Sequence, residues 1–133
     1  MEQTSRRVLL VGHCGPDSSY LRISVSSALP GGQVSFANDD SEFQAALRNP
    51  PDLILINRVL DGMFSMESGV ELIRFLRKSY PQIKTMLVSN YPEAQEEAIA
   101  AGALPGFGKR QLGSKEMIKM LREAAGVGEA TRA

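Results

Sequence analysis

Chemistry-bearing side chains fall at the ends of four apolar runs. His13 and Cys14 follow Val8-Leu9-Leu10-Val11, Asn57 follows Leu53-Ile54-Leu55-Ile56, Ser89 follows Met86-Leu87-Val88, and Lys109 follows the weaker run 104–108. An imidazole beside a thiol suits a soft or borderline ion such as zinc. Two ligands do not make a structural zinc site, however, and neighbouring strand-end side chains point to opposite sides. Asp17 would be the third ligand, but its position suits a first-turn helix acid more simply. Cys14 as a nucleophile needs a base and an orienting acid, and no such acid is evident in the sequence. A lone buried cysteine ordinarily behaves as a small apolar residue. Asn57 is the first residue out of its apolar run, and an amide nitrogen there is no nucleophile.

The elements that carry these residues read in a simple alternation. Leu53 to Ile56 is four apolar residues in a row, between the pair Pro50-Pro51 and the polar Asn57. Such a run suits a strand buried on both faces, as in a parallel sheet covered by helices. Residues 7–12 read as a first strand, and Pro16 opens a helix whose apolar face is assigned to Tyr20, Leu21, Ile23, Val25, Ala28 and Leu29. Gln33 to Ala37 reads as a short edge strand, and Asp39 with Glu42 forms a capping-box pattern before a helix that ends near Arg48. A long loop, Arg58 to about Met66, precedes a helix over Gly69 to Ser79. Ile83 to Val88 is the fourth strand, and Pro92 opens a helix that Gly102 closes. Leu104 to Gly108 is a weak last strand with a proline in it, so it belongs at an edge. Ser114 caps a final helix to about Ala124, with Met117, Ile118 and Leu121 facing inward.

Five strands alternating with five helices require a parallel sheet with helices on both faces. In the five-strand order 2-1-3-4-5 the chain reverses between the first and third strands, and sites form at that reversal. This order places His13, Cys14 and Asn57 in the crevice, with Ser89 and Lys109 closing it.

Bulk properties narrow the function classes. The 133 residues suffice for one domain with a real core. Fifteen basic and fifteen acidic residues cancel, so no global field draws nucleic acid or an anionic membrane. No apolar run is long enough to span a bilayer and the N-terminus lacks a signal-peptide pattern. The single cysteine excludes an internal disulfide and fits a reducing cytoplasm. Residues 126–133 read as a flexible tail after a domain of residues 1–125.

At these strand ends the chain resembles a bacterial response-regulator receiver domain, over about residues 6 to 124. The resemblance rests on the ordered set of strand-end positions, on Gly102-Ala103 before the fifth strand and on Lys109. It implies the flavodoxin-like (βα)5 three-layer sandwich and a role in two-component or phosphorelay signalling. In that family two acidic residues end the first strand and hold Mg²⁺, and an aspartate ending the third accepts phosphate. A hydroxyl and a lysine ending the fourth and fifth strands hold the phosphoryl group, and an aromatic residue in the fifth strand follows the hydroxyl. Ser89 and Lys109 match. The acid pair is replaced by His13-Cys14 and the phosphoacceptor by Asn57. The aromatic switch position falls on Gly106, with Phe107 one place off, and Arg110 stands where a proline usually follows the lysine. The loop after Asn57 is also longer than the family pattern.

Mg²⁺ wants hard oxygen ligands. Each carboxylate lost within about 4 Å of a cation removes on the order of 4 kcal/mol even at an effective dielectric of 20. The expectation is a pseudo-receiver: a phosphorylation-independent signalling and protein-interaction module, not an enzyme, with no cofactor and no metal. Its pocket is expected to be filled, with Lys109 bonded to Asn57 or to a backbone carbonyl. The resemblance implies a protein partner or a homodimer through the face of the fourth helix, fifth strand and fifth helix, with no direct nucleic-acid or membrane contact. Alternatives are a small-ligand or metal site at His13 and Cys14, and phosphorylation at a displaced aspartate, Asp61, four residues beyond Asn57. Asp61 more simply forms a turn with Gly62. Met63, Phe64 and Met66 are apolar for a loop, and either cap the pocket or meet a partner.

Overall fold

In the computed structural model, which describes residues 6–66 and 68–126, strands and α-helices alternate, with one short 3-10 turn at Lys109–Gln111 before the last α-helix. The strands are β1 (Arg7–Val11), β2 (Gln33–Ala37), β3 (Leu53–Asn57), β4 (Lys84–Val88) and β5 (Leu104–Phe107). The helices are α1 (Gly15–Ala28), α2 (Asp40–Leu47), α3 (Gly69–Ser79), α4 (Pro92–Ala101) and α5 (Lys115–Ala124). The five strands of the sheet pair in parallel, in the order β2-β1-β3-β4-β5. The expected sheet order is therefore the observed one, with β2 and β5 at the edges. The tail over 127–133 lies outside the described residues.

Two cores form because a strand's side chains alternate between its faces. Leu9, Val11, Ile54, Ile56 and Leu87 pack with Phe43, Leu47, Ile73, Leu76 and Ala98 of α2, α3 and α4. Val8, Leu10, Leu55, Met86, Val88 and Phe107 pack with Leu21, Val25, Met117 and Leu121 of α1 and α5. The unbroken apolar runs of β1 and β3 are thus needed on both sides at once.

Local signals set the helix ends. Asp39 accepts the Glu42 backbone N–H at 2.7 Å, and Glu42 Oε1 accepts the Asn38 N–H at 2.6 Å. The reciprocal bond so reaches one residue further back than a standard capping box. Ser68 and Ser114 cap α3 and α5 through their hydroxyls. Gly102 closes α4 at φ 120°, a backbone that a side chain resists.

The assignment of α1's apolar face needs correction. Tyr20 and Ile23 are 64% and 58% exposed. The buried stripe is Leu21, Val25 and Ala28, spaced at four and three residues, and Tyr20 and Ile23 lie about 100° or more round the helix from Leu21. Apolar identity alone mis-assigned them.

The loop between β3 and α3 is tied down along its length. It folds back across the end of β1, where the Asp61 N–H donates to the Gly12 carbonyl at 2.9 Å. It then meets the β2–α2 connection, where the Met63 N–H donates to Asn38 and the Met63 carbonyl accepts from Asp40. Leu60, Phe64 and Met66 are partly buried against the core, whereas Met63 is 79% exposed. Three of the apolar loop side chains therefore serve packing, which explains their composition.

Candidate functional site

Asn57 ends β3 at the carboxyl edge of the sheet and is half-buried. Its Nδ2 donates to the Gly12 carbonyl at 3.1 Å and to the Val59 carbonyl at 2.7 Å. Both amide protons are thereby spent, tying β1 to the start of the long loop. A carboxylate in this place would set one of its oxygens, where Nδ2 now sits, against two carbonyl oxygens with no proton between them. The local structure therefore selects the amide.

His13 is buried, at 3% exposure. Its Nε2 lies 3.0 Å from the Leu55 carbonyl oxygen. A carbonyl only accepts, so the geometry assigns the proton to Nε2 and leaves Nδ1 as a bare acceptor. Nδ1 is buried and has no partner. Burial, with lesser help from the Lys109 charge and against the Leu55 hydrogen bond, lowers the pKa from 6.5 to about 4. The imidazole is thus neutral at physiological pH.

Lys109 pairs with neither Asn57 nor a backbone carbonyl, contrary to the expectation from sequence. Its ammonium meets the Asp17 carboxylate at 2.5 Å. Asp17 also bonds the Cys14 side chain. The Lys109 hydrogen bond, then the Cys14 bond and the nearby charges, outweigh desolvation and hold the carboxyl below its usual range. The sequence placed Asp17 in the first turn of α1 but did not link it to Lys109. The first turn of α1 and the segment after β5 come together only when the sheet places β1 and β5 on either side of β3 and β4. A charge pair separated by so many residues leaves no periodic signal.

The crevice is also divided differently from the expectation. A cavity of about 280 Å³ is lined by Asn57, Arg58, Val59, Ser89, Asn90, Tyr91 and Lys109, with Val88 at its base. His13 instead lines a separate cavity of about 310 Å³, with Gly15, Ser18, Phe36, Asn38, Asp61 and Gly62. Cys14 lines neither of them. The long loop causes the division, since Leu60 presses on Gly12 so closely that a Cβ there would strike it. Asp61 is therefore in the neighbouring cavity and not beside Ser89 and Lys109. Among the described residues no group of three His, Cys, Asp or Glu side chains could hold a metal ion.

Ser89 is nearly buried, and its Oγ accepts the Tyr91 N–H at 3.1 Å. Gly108, next to Lys109, approaches Asn90 so closely that a Cβ would overlap it. Asn90 Oδ1 also accepts the Arg110 N–H at 3.2 Å. Arg58 and Tyr91, absent from the site as read from sequence, join across the cavity, with the guanidinium 4.9 Å from the ring centre. An arginine and a tyrosine in separate loops carry no pairing signal in sequence.

Gly106 faces α4, where a Cβ would run into the Leu87 carbonyl. The place is taken by Gln95 of α4, whose Oε1 accepts the Gly106 N–H at 3.1 Å. Its Nε2 donates to the carbonyls of Leu87 at 2.9 Å and Ser89 at 3.1 Å. Phe107 points the other way and is buried against α1 and α5. Neither residue offers an aromatic ring on the α4 side.

The chain superposes on three solved receiver-type structures at low sequence identity. One is a response regulator from Thermotoga maritima (TM-score 0.71, 22% identity, 92% of this chain and 99% of that one). A second is the signal receiver domain of an HD domain-containing protein from Pseudomonas fluorescens (TM-score 0.75, 23% identity, covering 95% and 91%). A third is the beryllofluoride-activated receiver domain dimer of NtrC4 (TM-score 0.68, 18% identity, covering 90% and 96%). The fold is that of a response-regulator receiver domain. No protein-family profile matches the chain, and no curated protein matches its sequence. Within this fold the strand ends present His13, Cys14, Asn57, Ser89 and Lys109. No helix among the described residues is long and apolar enough to cross a membrane.

Proposed function

We propose that residues 1–125 form a phosphorylation-independent, receiver-like signalling module that works in the cytoplasm by protein interaction rather than catalysis. The observation that carries this is Asn57, whose amide protons are committed to the Gly12 and Val59 carbonyls. A side chain used in this way is a structural tie and no phosphate acceptor. Support comes also from the metal side, since the only carboxylate engaged near Lys109 among the described residues, Asp17, is held by that lysine and by Cys14. Gln95, bonded to β4 and β5 at once, favours a single fixed setting of α4.

The test is incubation with acetyl phosphate and Mg²⁺, followed by intact mass measurement. The expected mass is unchanged. A gain of one phosphate, on Asp61 or elsewhere, together with Mg²⁺ dependence, would overturn the reading.

The proposed contact face is that of α4, β5 and α5, used toward a partner protein or a second copy. Ile99 is 46% exposed on α4. Between β5 and α5 a groove of about 170 Å³ is lined by Met86, Leu104, Pro105, Met120, Glu123 and Ala124. Ile99→Glu is expected to weaken self-association or partner binding about tenfold, as for the loss of one apolar anchor. Light scattering across a dilution series, with pull-down for a heterologous partner, reads this. Unaltered association in the variant would remove the face from the proposal.

A further inference from the structure

Three connections at the carboxyl edge of the sheet close round the second cavity, away from Ser89 and Lys109. The β1–α1 junction supplies His13 and Ser18, the end of β2 supplies Phe36 and Asn38, and the long loop after β3 supplies Asp61 and Gly62. The loop is fixed there by its backbone bonds to Gly12 and Asn38. Gly62, at φ 117°, runs so close to the Asn38 carbonyl that no side chain fits. Phe36 stands in register with Leu10, which faces α1, so its ring lies on the α1 side of the sheet.

The hydrogen-bonding groups of this lining are mostly acceptors. His13 gives its Nε2 proton to Leu55, and Nδ1 is the one buried side-chain polar atom among the described residues with no partner. Ser18 spends its hydroxyl proton on the His13 carbonyl at 3.3 Å and keeps its lone pairs. The Asn38 side-chain amide is free to turn its oxygen inward. Asp61 makes no ion pair among the described residues, and no lysine or arginine lines the cavity. Lys109 and Asp17, the charges that act on His13, are paired with each other. The positive end of α1 opposes a cation, but at about half a charge it is outweighed by the full charge of Asp61. An occupant must therefore be rich in donors and positively charged. At about 310 Å³, roughly ten times the ~30 Å³ share of one water molecule, the space admits a small organic group.

We infer that this cavity binds a primary ammonium group, through His13 Nδ1, the Ser18 hydroxyl oxygen and the Asp61 carboxylate, with the ligand's carbon stem against the Phe36 ring. Three N–H donors then meet three acceptors, and an aromatic ring beside the cation favours it further. The buried imidazole nitrogen gains the bond that the chain itself does not supply. The inference goes beyond the interaction module proposed above and stands or falls separately from it.

The experiment is an ¹⁵N-correlation NMR titration of the full chain with n-butylammonium chloride. Tetramethylammonium chloride, which carries the charge but no N–H, is the reference. The expected result is saturable movement of the Ser18, Phe36, Asn38 and Asp61 amides, with an upfield shift of the His13 Nδ1 resonance, neither of which the reference reproduces. Asp61→Asn, at an exposed position, is expected to weaken binding about tenfold, as for one charge-assisted bond. Nα-acetyl-lysine amide, titrated in parallel, separates two sources of the ammonium group. Tighter binding than butylammonium assigns it to a lysine of a partner protein, weaker binding to a free amine, and either supports the inference. Non-saturable movement, an equal response to tetramethylammonium, an unmoved His13 Nδ1 resonance, or an Asp61→Asn titration indistinguishable from that of the native chain would overturn it. A covalent mass gain from acetyl phosphate would instead sink the proposed function, so the two failures are told apart.

Discussion

Lowering the pH from 6.5 to 4 is expected to remove about 3 kcal/mol of folding stability through His13 alone. The folded imidazole titrates at about 4 against an ordinary value of 6.5, and each pH unit of that gap is worth about 1.36 kcal/mol. The sign follows from proton counting. Between these two values the unfolded chain binds a proton at His13 that the folded chain refuses, so stability rises with pH across the window and is lost as pH falls through it. The cause is burial, since a charged ring in this core would have one N–H for Leu55 and another, on Nδ1, with no partner. Asp17 does not blur the window, because its carboxyl is held below 3.8 and its stabilising contribution is lost only as pH falls further. Urea unfolding at a series of pH values checks this. A native chain with a flat profile from pH 6.5 to 4, or one that His13→Gln leaves equally steep, would contradict the buried neutral ring.

Placing an aromatic residue at Gly106 is expected to be as costly. Gly106→Tyr is predicted to lose about 3 kcal/mol or more, from overpacking of a tight site together with the loss of buried hydrogen bonds. The added Cβ alone would meet the Leu87 carbonyl, and the ring would expel Gln95 from its bonds to Leu87, Ser89 and Gly106. Gly15→Ala serves as the comparison, because nothing lies within 4 Å of a Cβ there, and its expected change is near zero. Unfolding midpoints of both variants decide the matter. If Gly106→Tyr retained native stability, Gln95 would not be the lock that the proposed function assumes.

How far the site could be read from sequence depends on the range of each interaction. Asp39 and Ser114 are legible as caps because the bond spans three residues, and Gly102 as a stop because its backbone conformation is its own. The strands are legible because apolar runs between turn residues admit few other readings, and their alternation with helices dictates parallel pairing. Tyr20 and Ile23 show the limit of composition: both are apolar, but only angular position decides which side of α1 is buried.

The sequence by itself determined the receiver-type frame of five strands and five helices, and the chemical identity of each strand-end residue, Asn57 and Gly106 included. Only the tertiary structure decided what those residues touch. It joined Lys109 to Asp17, turned His13 inward to Leu55, gave Gly106's space to Gln95, and set Arg58 against Tyr91. The physical reason is distance along the chain. Local bonds and periodic burial are written into neighbouring residues, whereas a contact between separate loops depends on how the whole sheet brings its carboxyl ends together.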